Sequence, residues 1–405
     1  MNIRSITGFL DPGWPLDPHR LADMADTLQA LRRALEQAGY TVQTLRVATP
    51  PPAEMDRPVP PGDRPELARL LEAQCFVHGI DYGAIGPALH TEPAGYDAIP
   101  EILAATENVF SSAVFADLET GLSLPAARAC AQVIFRAGTI SPDGFANLRF
   151  AALANVPPGT PFFPAAYHDR GTPAVAIATE AAELAVDSLR DVTAPAVARR
   201  RLVGMIEAHA QALTRLAQPV AAEREVRYLG LDFTLAPFPE VHRSLGAALE
   251  ACGVAAAGQA GTIAAAAFLA DSIDRAQFKR TGFCGLFFPV LEDATLAARA
   301  AQGSLTVTDL LLCATVCGAG LDTLPLPGDT PLDSLMAILL DVGALALRHN
   351  KPLTARLMPL PGKHAGDPAE FDFAYFAGSR VLALRAEPLR GLLSGTGTLE
   401  LGPHH

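Results

Sequence analysis

The apolar positions fall into short blocks of two periods, one strand-like and one helical, and these predict β and α elements in turn. Residues 2–9 read as a strand, with Arg4 inside it. In residues 18–38, Leu21, Met24, Leu28, Leu31 and Leu35 share one helical face. Asp17 stands at the N-cap and Gly39 is the stop. The pattern continues with strands at 41–47, 75–80 (ending at Asp81) and 109–115, and helices at 65–74, 98–105 and 125–136. Strands follow at 148–153 and 173–178, with Thr179 as the expected cap of the next helix. A long helix is predicted from Thr193 to about residue 217, with His209 as a core histidine on its apolar stripe.

The second half continues with a strand over 226–235 and a helix over 241–252. An alanine-rich helix starts at Thr262, a strand spans 285–290 and a helix 308–317. Then come two similar units. Residues 318–330, GAGLDTLPLPGDT, and 357–367, LMPLPGKHAGD, each read as an apolar strand ending in Pro-Leu-Pro-Gly. The first presents Asp329, the second Lys363, and a helix over 331–347 joins them, with Thr330 as expected N-cap. Such a strand–helix–strand unit crosses over right-handed. Both loops then lie at one end of a parallel sheet, where open sheets and barrels keep their sites. Residues 371–385 add further strands.

Two stretches lack periodicity. Residues 49–62 hold six prolines and read as a surface loop. Residues 155–169, NVPPGTPFFPAAYHD, hold four prolines among aromatics, and a stiff loop of that length is more often a site wall than filler. No strong linker interrupts the 405 residues, so one large α/β domain with a mostly parallel sheet or barrel is expected. A division into 1–220 and 221–405 is the alternative.

Half of the residues are hydrophobic, which is ample for a large core, and the net charge of -12 argues against nucleic acid or an anionic membrane surface as partner. The apolar runs are shorter than the ~20 residues of a membrane span. Residues 1–10 lack a small-residue cleavage site, so a cytoplasmic protein is expected. The six cysteines form no CxxC pair, which argues against a zinc ribbon or a disulfide framework. Cys313 and Cys317 read as buried thiols on one helix face, and Cys284 as a small core residue.

The candidate chemistry gathers at strand ends. If these share a mouth, they deliver Asp232, Glu240, Glu292, Asp293, Asp329, Lys363 and Asp367, with His168 from the proline-rich loop. Converging carboxylates either raise a pKa for acid–base work or hold a divalent cation such as Mg or Ca. The expected catalytic residues are His168, Asp322, Asp329 and Lys363, with Asp322 and Asp329 as metal candidates. Asp232, Glu292, Arg356 and Asp367 are expected to bind substrate. Asp322 stands out because it lies inside an apolar strand, where a charge is costly unless paired. A buried ion pair to Arg356 on the neighbouring strand is the structural alternative, and Glu292 and Asp293 have the alternative of capping a helix. Gly253, Gly258 and Gly261 precede a helix, but no phosphate-loop or dinucleotide pattern is present.

The blocks IRSIT, DGFANLRFAALANVPPGTPFFPAAYH, LDFTLAPFPE, TGFCGLFFPVLED, GLDTLPLPGDT and NKPLTARLMPLPGKHAGD resemble a bacterial and archaeal domain-of-unknown-function family, the "PFL family proteins". The resemblance implies a ten-stranded α/β barrel similar to that of pyruvate formate-lyase. It implies no reaction. The glycyl-radical enzymes of that fold carry an Arg-Val-x-Gly-aromatic pattern near the C-terminus. Here that region reads GLLSGTGTLELG, so Gly395 and Gly397 are read as turn glycines. The function expected is an enzyme acting on a small polar or anionic metabolite, with a non-catalytic metabolite-binding protein as the alternative. Self-association stays open.

Overall fold

The computed structural model describes residues 1–404. Ten strands carry the fold: β1 (Asn2–Phe9), β2 (Val42–Ala48), β3 (Tyr82–Ala88), β4 (Val109–Asp117), β5 (Gly121–Ser123), β6 (Phe150–Ala154), β7 (Ala174–Glu180), β8 (Arg227–Asp232), β9 (Gly320–Pro327) and β10 (Leu353–Leu360). Helices α1 (Pro18–Gln37), α2 (Arg64–Val77), α3 (Ala94–Ala105), α4 (Leu124–Ala137), α5 (Ala182–Leu189) and α6 (Pro195–Glu223) fall in the first part of the chain. Helices α7 (Leu245–Ala251), α8 (Thr262–Arg275), α9 (Ala294–Gln302), α10 (Val307–Ala314) and α11 (Leu332–Arg348) follow. None of them is long and apolar enough to cross a membrane, among the described residues.

Local chemistry explains the well-placed elements. Asp17 accepts the His19 amide at 2.9 Å and Pro18 takes the first helical position, so α1 starts there. Its five predicted apolar residues are all buried. Thr306 and Asp309 form a reciprocal capping box at α10.

One sheet runs in the order β8-β7-β1-β2-β3-β4-β6-β10-β9, so strands from both halves of the chain share it in one domain. Apart from the short β5, which pairs antiparallel with β4, these strands form two parallel sets. Strands β1, β2, β3, β4 and β6 run one way. The pairs β7–β8 and β9–β10 are each parallel, and both meet the first set antiparallel. The extended segment 280–290 makes single bridges to both sheet edges, Arg280 to Leu231 in β8 and Pro289 to Asp322 in β9. The sheet is therefore curled far enough for one segment to touch both of its ends.

The two proline-glycine loops do lie together, as the Gly328 amide donates to the Lys363 carbonyl at 3.0 Å. Other expectations fail locally. Residues 75–77 continue α2 instead of starting a strand, and Phe76 is 88 % exposed there. The strand is instead β3, whose YGAIGPA sequence hides its β character behind glycine and proline. Thr179 lies inside β7, where its hydroxyl donates to the Thr234 carbonyl at 3.0 Å. Thr330 spends its hydroxyl on the Pro327 carbonyl, and Pro331 precedes α11 without a side-chain cap. Residues 371–385 form almost no strand.

Candidate functional site

Two irregularities in strand pairing place charges inside the curl. Ala355 pairs with Leu321 and Leu357 with Leu324, so Asp322 and Thr323 together face Arg356. This is a β-bulge, a device that re-aims side chains. Thr323 has φ of 39°, a rare conformation for a β-branched residue. In β1, Ile3 pairs with Thr179 and Ser5 with Ala178, which leaves Arg4 as the extra residue.

The bulged residues join a chain of ion pairs. Arg356 donates from Nε to Asp322 Oδ1 at 2.5 Å and from Nη2 to Glu292 Oε1 at 2.7 Å. The second Glu292 oxygen accepts from Arg4, which also reaches Glu180 at 3.2 Å. Arg243 pairs with the other Glu180 oxygen. Arg243 also lies 3.5 Å from the exposed Glu240, so three guanidiniums alternate with four carboxylates. Burial opposes charge on Arg4 and Arg356, yet their carboxylate neighbours outweigh it and hold both above the ordinary guanidinium value. Burial pushes the Asp322 carboxyl up, and Arg356 offsets part of that rise.

This chain forms one wall of a cavity of ≈ 130 Å³. Aromatic residues, among them Tyr82, Phe110, Phe163 and Phe287, line it as well. Phe373 and Tyr375 line it from the C-terminal segment, and Arg4 lies 5.1 Å from the Tyr375 ring centroid. Arg46 of β2 is a further lining residue. It is 8 % exposed and donates only Nε, to Thr44 Oγ1 at 2.9 Å. Its guanidinium lies 5.1 Å from the Phe163 ring and 5.7 Å from Tyr82. Among the described residues no carboxylate is within ion-pair distance of it. Burial, with Arg4 nearby, pulls its pKa down to about 10, so it stays cationic at neutral pH.

The cavity gathers Asp322, Glu292 and Arg356 of the predicted site and leaves out the rest. His168 sits outside it, with Nε2 at 3.3 Å from the Thr172 carbonyl and its amide on the Thr49 carbonyl beyond β2. The end of the sheet that β2 points to is opposite the one where Glu292 follows segment 280–290. Asp329 and Lys363 are exposed loop residues, and Asp367 accepts the His364 amide at 2.7 Å in a surface turn. Glu240 is exposed. Asp293 is wholly structural: it caps α9 through Thr295 and Leu296 and also holds Ser244 and Leu245 at the start of α7. No group of three His, Cys, Asp or Glu able to hold a metal exists among the described residues. The donor set therefore does not fit the Mg or Ca expected from sequence: Asp322 is taken by Arg356 and Asp329 faces solvent.

Asp232 is a buried organiser outside the cavity. Its oxygens accept from the Thr234 hydroxyl at 2.6 Å and from the amides of Phe283 at 2.7 Å and Cys284 at 2.8 Å. It thereby ties β8 to segment 280–290. Burial pushes its carboxyl up to about 6 against the pull of those donors. The folded value lies above the unfolded one of about 3.9, so Asp232 weakens the fold as pH rises from about 4 to about 6. Asp232→Asn removes that dependence but turns one acceptor oxygen into an amide facing an N–H. The expected loss in urea unfolding is ~1–3 kcal/mol. It should be larger near about pH 5 than near about pH 7.5, by about 1 kcal/mol or more. An equal loss at both pH values would contradict the raised pKa.

Sequence reasoning missed Arg46, Arg4 and Glu180. Arg46 lies in VQTLRVA, a charge inside an apolar strand, and the reasoning that singled out Asp322 applied to it equally.

These features define a class: an α/β protein whose curled, mostly parallel sheet encloses a cavity lined by arginines and aromatics. The chain belongs to the uncharacterised DUF711 family, whose model matches residues 1–374. It is similar to a "UPF0210 protein" of Pyrobaculum islandicum, 32% identical over 86% of this chain and 82% of the relative. A "UPF0210 protein" of Oleidesulfovibrio alaskensis is 32% identical over 83% of this chain and 78% of its own length. That of Methanopyrus kandleri is 29% identical over 91% and 88%.

Proposed function

We propose that this protein is an enzyme acting on a small anionic metabolite in the arginine-lined cavity. The observation that carries the reading is Arg46: a buried cation without a carboxylate partner, aimed into an aromatic-walled space. Arg46 holds the anion, Asp322 is the acid–base group, and Glu292 with Arg4 keeps Arg356 in place against it. A non-catalytic binding protein is the second reading. It is favoured by the engagement of both oxygens of Glu292 in ion pairs.

The scaffold we propose is a ten-stranded barrel resembling pyruvate formate-lyase. Supporting it are the five parallel strands of one set and, in the other, β7, β8, β9 and β10 with segment 280–290 as the fifth. Radical chemistry is not part of the proposal. No cysteine lines the cavity, and Gly397 lies at the surface, its carbonyl accepting the Leu124 amide.

The test is incubation of the protein with a cell metabolite extract, followed by mass spectrometry over time. Wild type is expected to deplete one anionic compound. Asp322→Asn should bind that compound but slow its depletion by about 100-fold or more. Retention of an anion by both proteins with no depletion by either would favour the binding reading. Retention and depletion of none would remove both.

A further inference from the structure

Resting on that reading, we infer that the guest carries a single carboxylate on an apolar, flat body, and that Arg46 is the residue selecting for the charge. The free guanidinium donors of the cavity supply the number. Arg4 and Arg356 are engaged by Glu180, Glu292 and Asp322 in a chain of ion pairs that runs on, away from the cavity, to Arg243 and the exposed Glu240. Arg149, also on the wall, spends its guanidinium on the carbonyls of Leu103 and Val109 and the Thr106 hydroxyl. Glu107 is exposed at the rim. Arg46 alone keeps both Nη nitrogens without a hydrogen-bond partner among the described residues. Two parallel N–H donors match one carboxylate in the bidentate manner. A second anionic group on the guest would meet Glu292 and Asp322, whose arginines are already engaged, and would find no free donor.

The body follows from the walls and the volume. Phe163 and Tyr82 flank the guanidinium, and Phe110, Phe162 and Phe287 continue the apolar surface away from it. Aromatic walls favour a planar or otherwise compact apolar group by stacking and edge contacts. A cavity of ≈ 130 Å³ is on the order of ten times the space one water needs, so the guest is small, on the order of ten heavy atoms.

The experiment is a calorimetric titration of the full chain with phenylacetate, its neutral amide phenylacetamide, and the dianion phenylmalonate, repeated on Arg46→Met. The expected result is binding of phenylacetate about tenfold or more tighter than the amide, and no tighter binding of the dianion. In Arg46→Met the acid should lose its advantage and bind no tighter than the amide. An unfolding transition in circular dichroism like that of wild type shows that the variant is folded. Equal binding of acid and amide by wild type would overturn the role of Arg46 and leave the cavity reading standing. A dianion about tenfold tighter than phenylacetate would overturn the single charge alone. Binding of none of the three would overturn this inference, while depletion of a different compound from the metabolite extract would still uphold the enzyme.

Discussion

Glu292→Ala is expected to lose ~3–5 kcal/mol of stability in urea unfolding, because it strands two guanidiniums in a buried site. Glu292 is 7 % exposed and gives one oxygen to Arg4 and the other to Arg356. Arg356 is buried and Arg4 keeps only a small exposed fraction, so solvent compensates little. Arg4 keeps Glu180 and Arg356 keeps Asp322, so each is left half-paired and facing a like charge. The double replacement Glu292→Leu with Arg356→Met should lose less than the two single losses added, since it removes a charge together with its partner. A loss of less than about 1 kcal/mol for Glu292→Ala would mean that water reaches the chain of ion pairs and screens it. The same variant should weaken turnover of any substrate, as Arg356 and Asp322 lose their fixed positions.

Gly320→Ala is the second large effect. Gly320 opens β9 at φ of 88°, a left-handed conformation that L side chains rarely adopt. A Cβ there would stand 2.2 Å from the Thr354 carbonyl oxygen, which belongs to the backbone of β10 and cannot swing aside. Strain and overlap together are expected to exceed about 4 kcal/mol, beyond the usual range of single substitutions. The consequence for the site is direct, since Asp322 lies two residues on and Arg356 two residues beyond Thr354. Thermal unfolding monitored by circular dichroism measures the first effect. The phenylacetate titration measures the second, with weakened binding expected. A variant as stable as wild type would show that β9 can slide against β10 without harm.

Much of the fold was legible because the elements obey local rules. The helix after Asp17 combines a cap, a proline at the first position and five leucine-type residues on one face, and tertiary structure had nothing to override. The strand-like residues 285–290 were legible as extended chain, but not as the segment that touches both edges of the sheet. That depends on Leu231, Leu235 and Asp322, distant in sequence. β3 was displaced because Phe76 and Val77 are apolar residues that α2 leaves exposed, so hydrophobicity pointed at the wrong stretch.

The site divided in the same way. The rule that a charge inside an apolar strand must be compensated found Asp322 and named its partner, Arg356, at 2.5 Å. Strand-end position was a poorer guide. Asp329, Lys363 and Asp367 follow strand ends but face water, and His168 stands at the other end of the sheet. Position along the chain does not tell which end of an antiparallel seam a loop will occupy, and the main path of the sheet has two such seams, β1 with β7 and β6 with β10.

By itself the sequence determined the alternation of strands and helices, the pairing of the two Pro-Leu-Pro-Gly strands and the need of Asp322 for a cation. These follow from side-chain period, turn chemistry and the cost of burying a charge, all of which act over a few residues or one neighbouring strand. Only the tertiary structure decided that Arg4, Glu292 and Arg356 meet and that Arg46 is left over. That outcome depends on how two opposed sets of strands curl around one space, and no local rule carries that information.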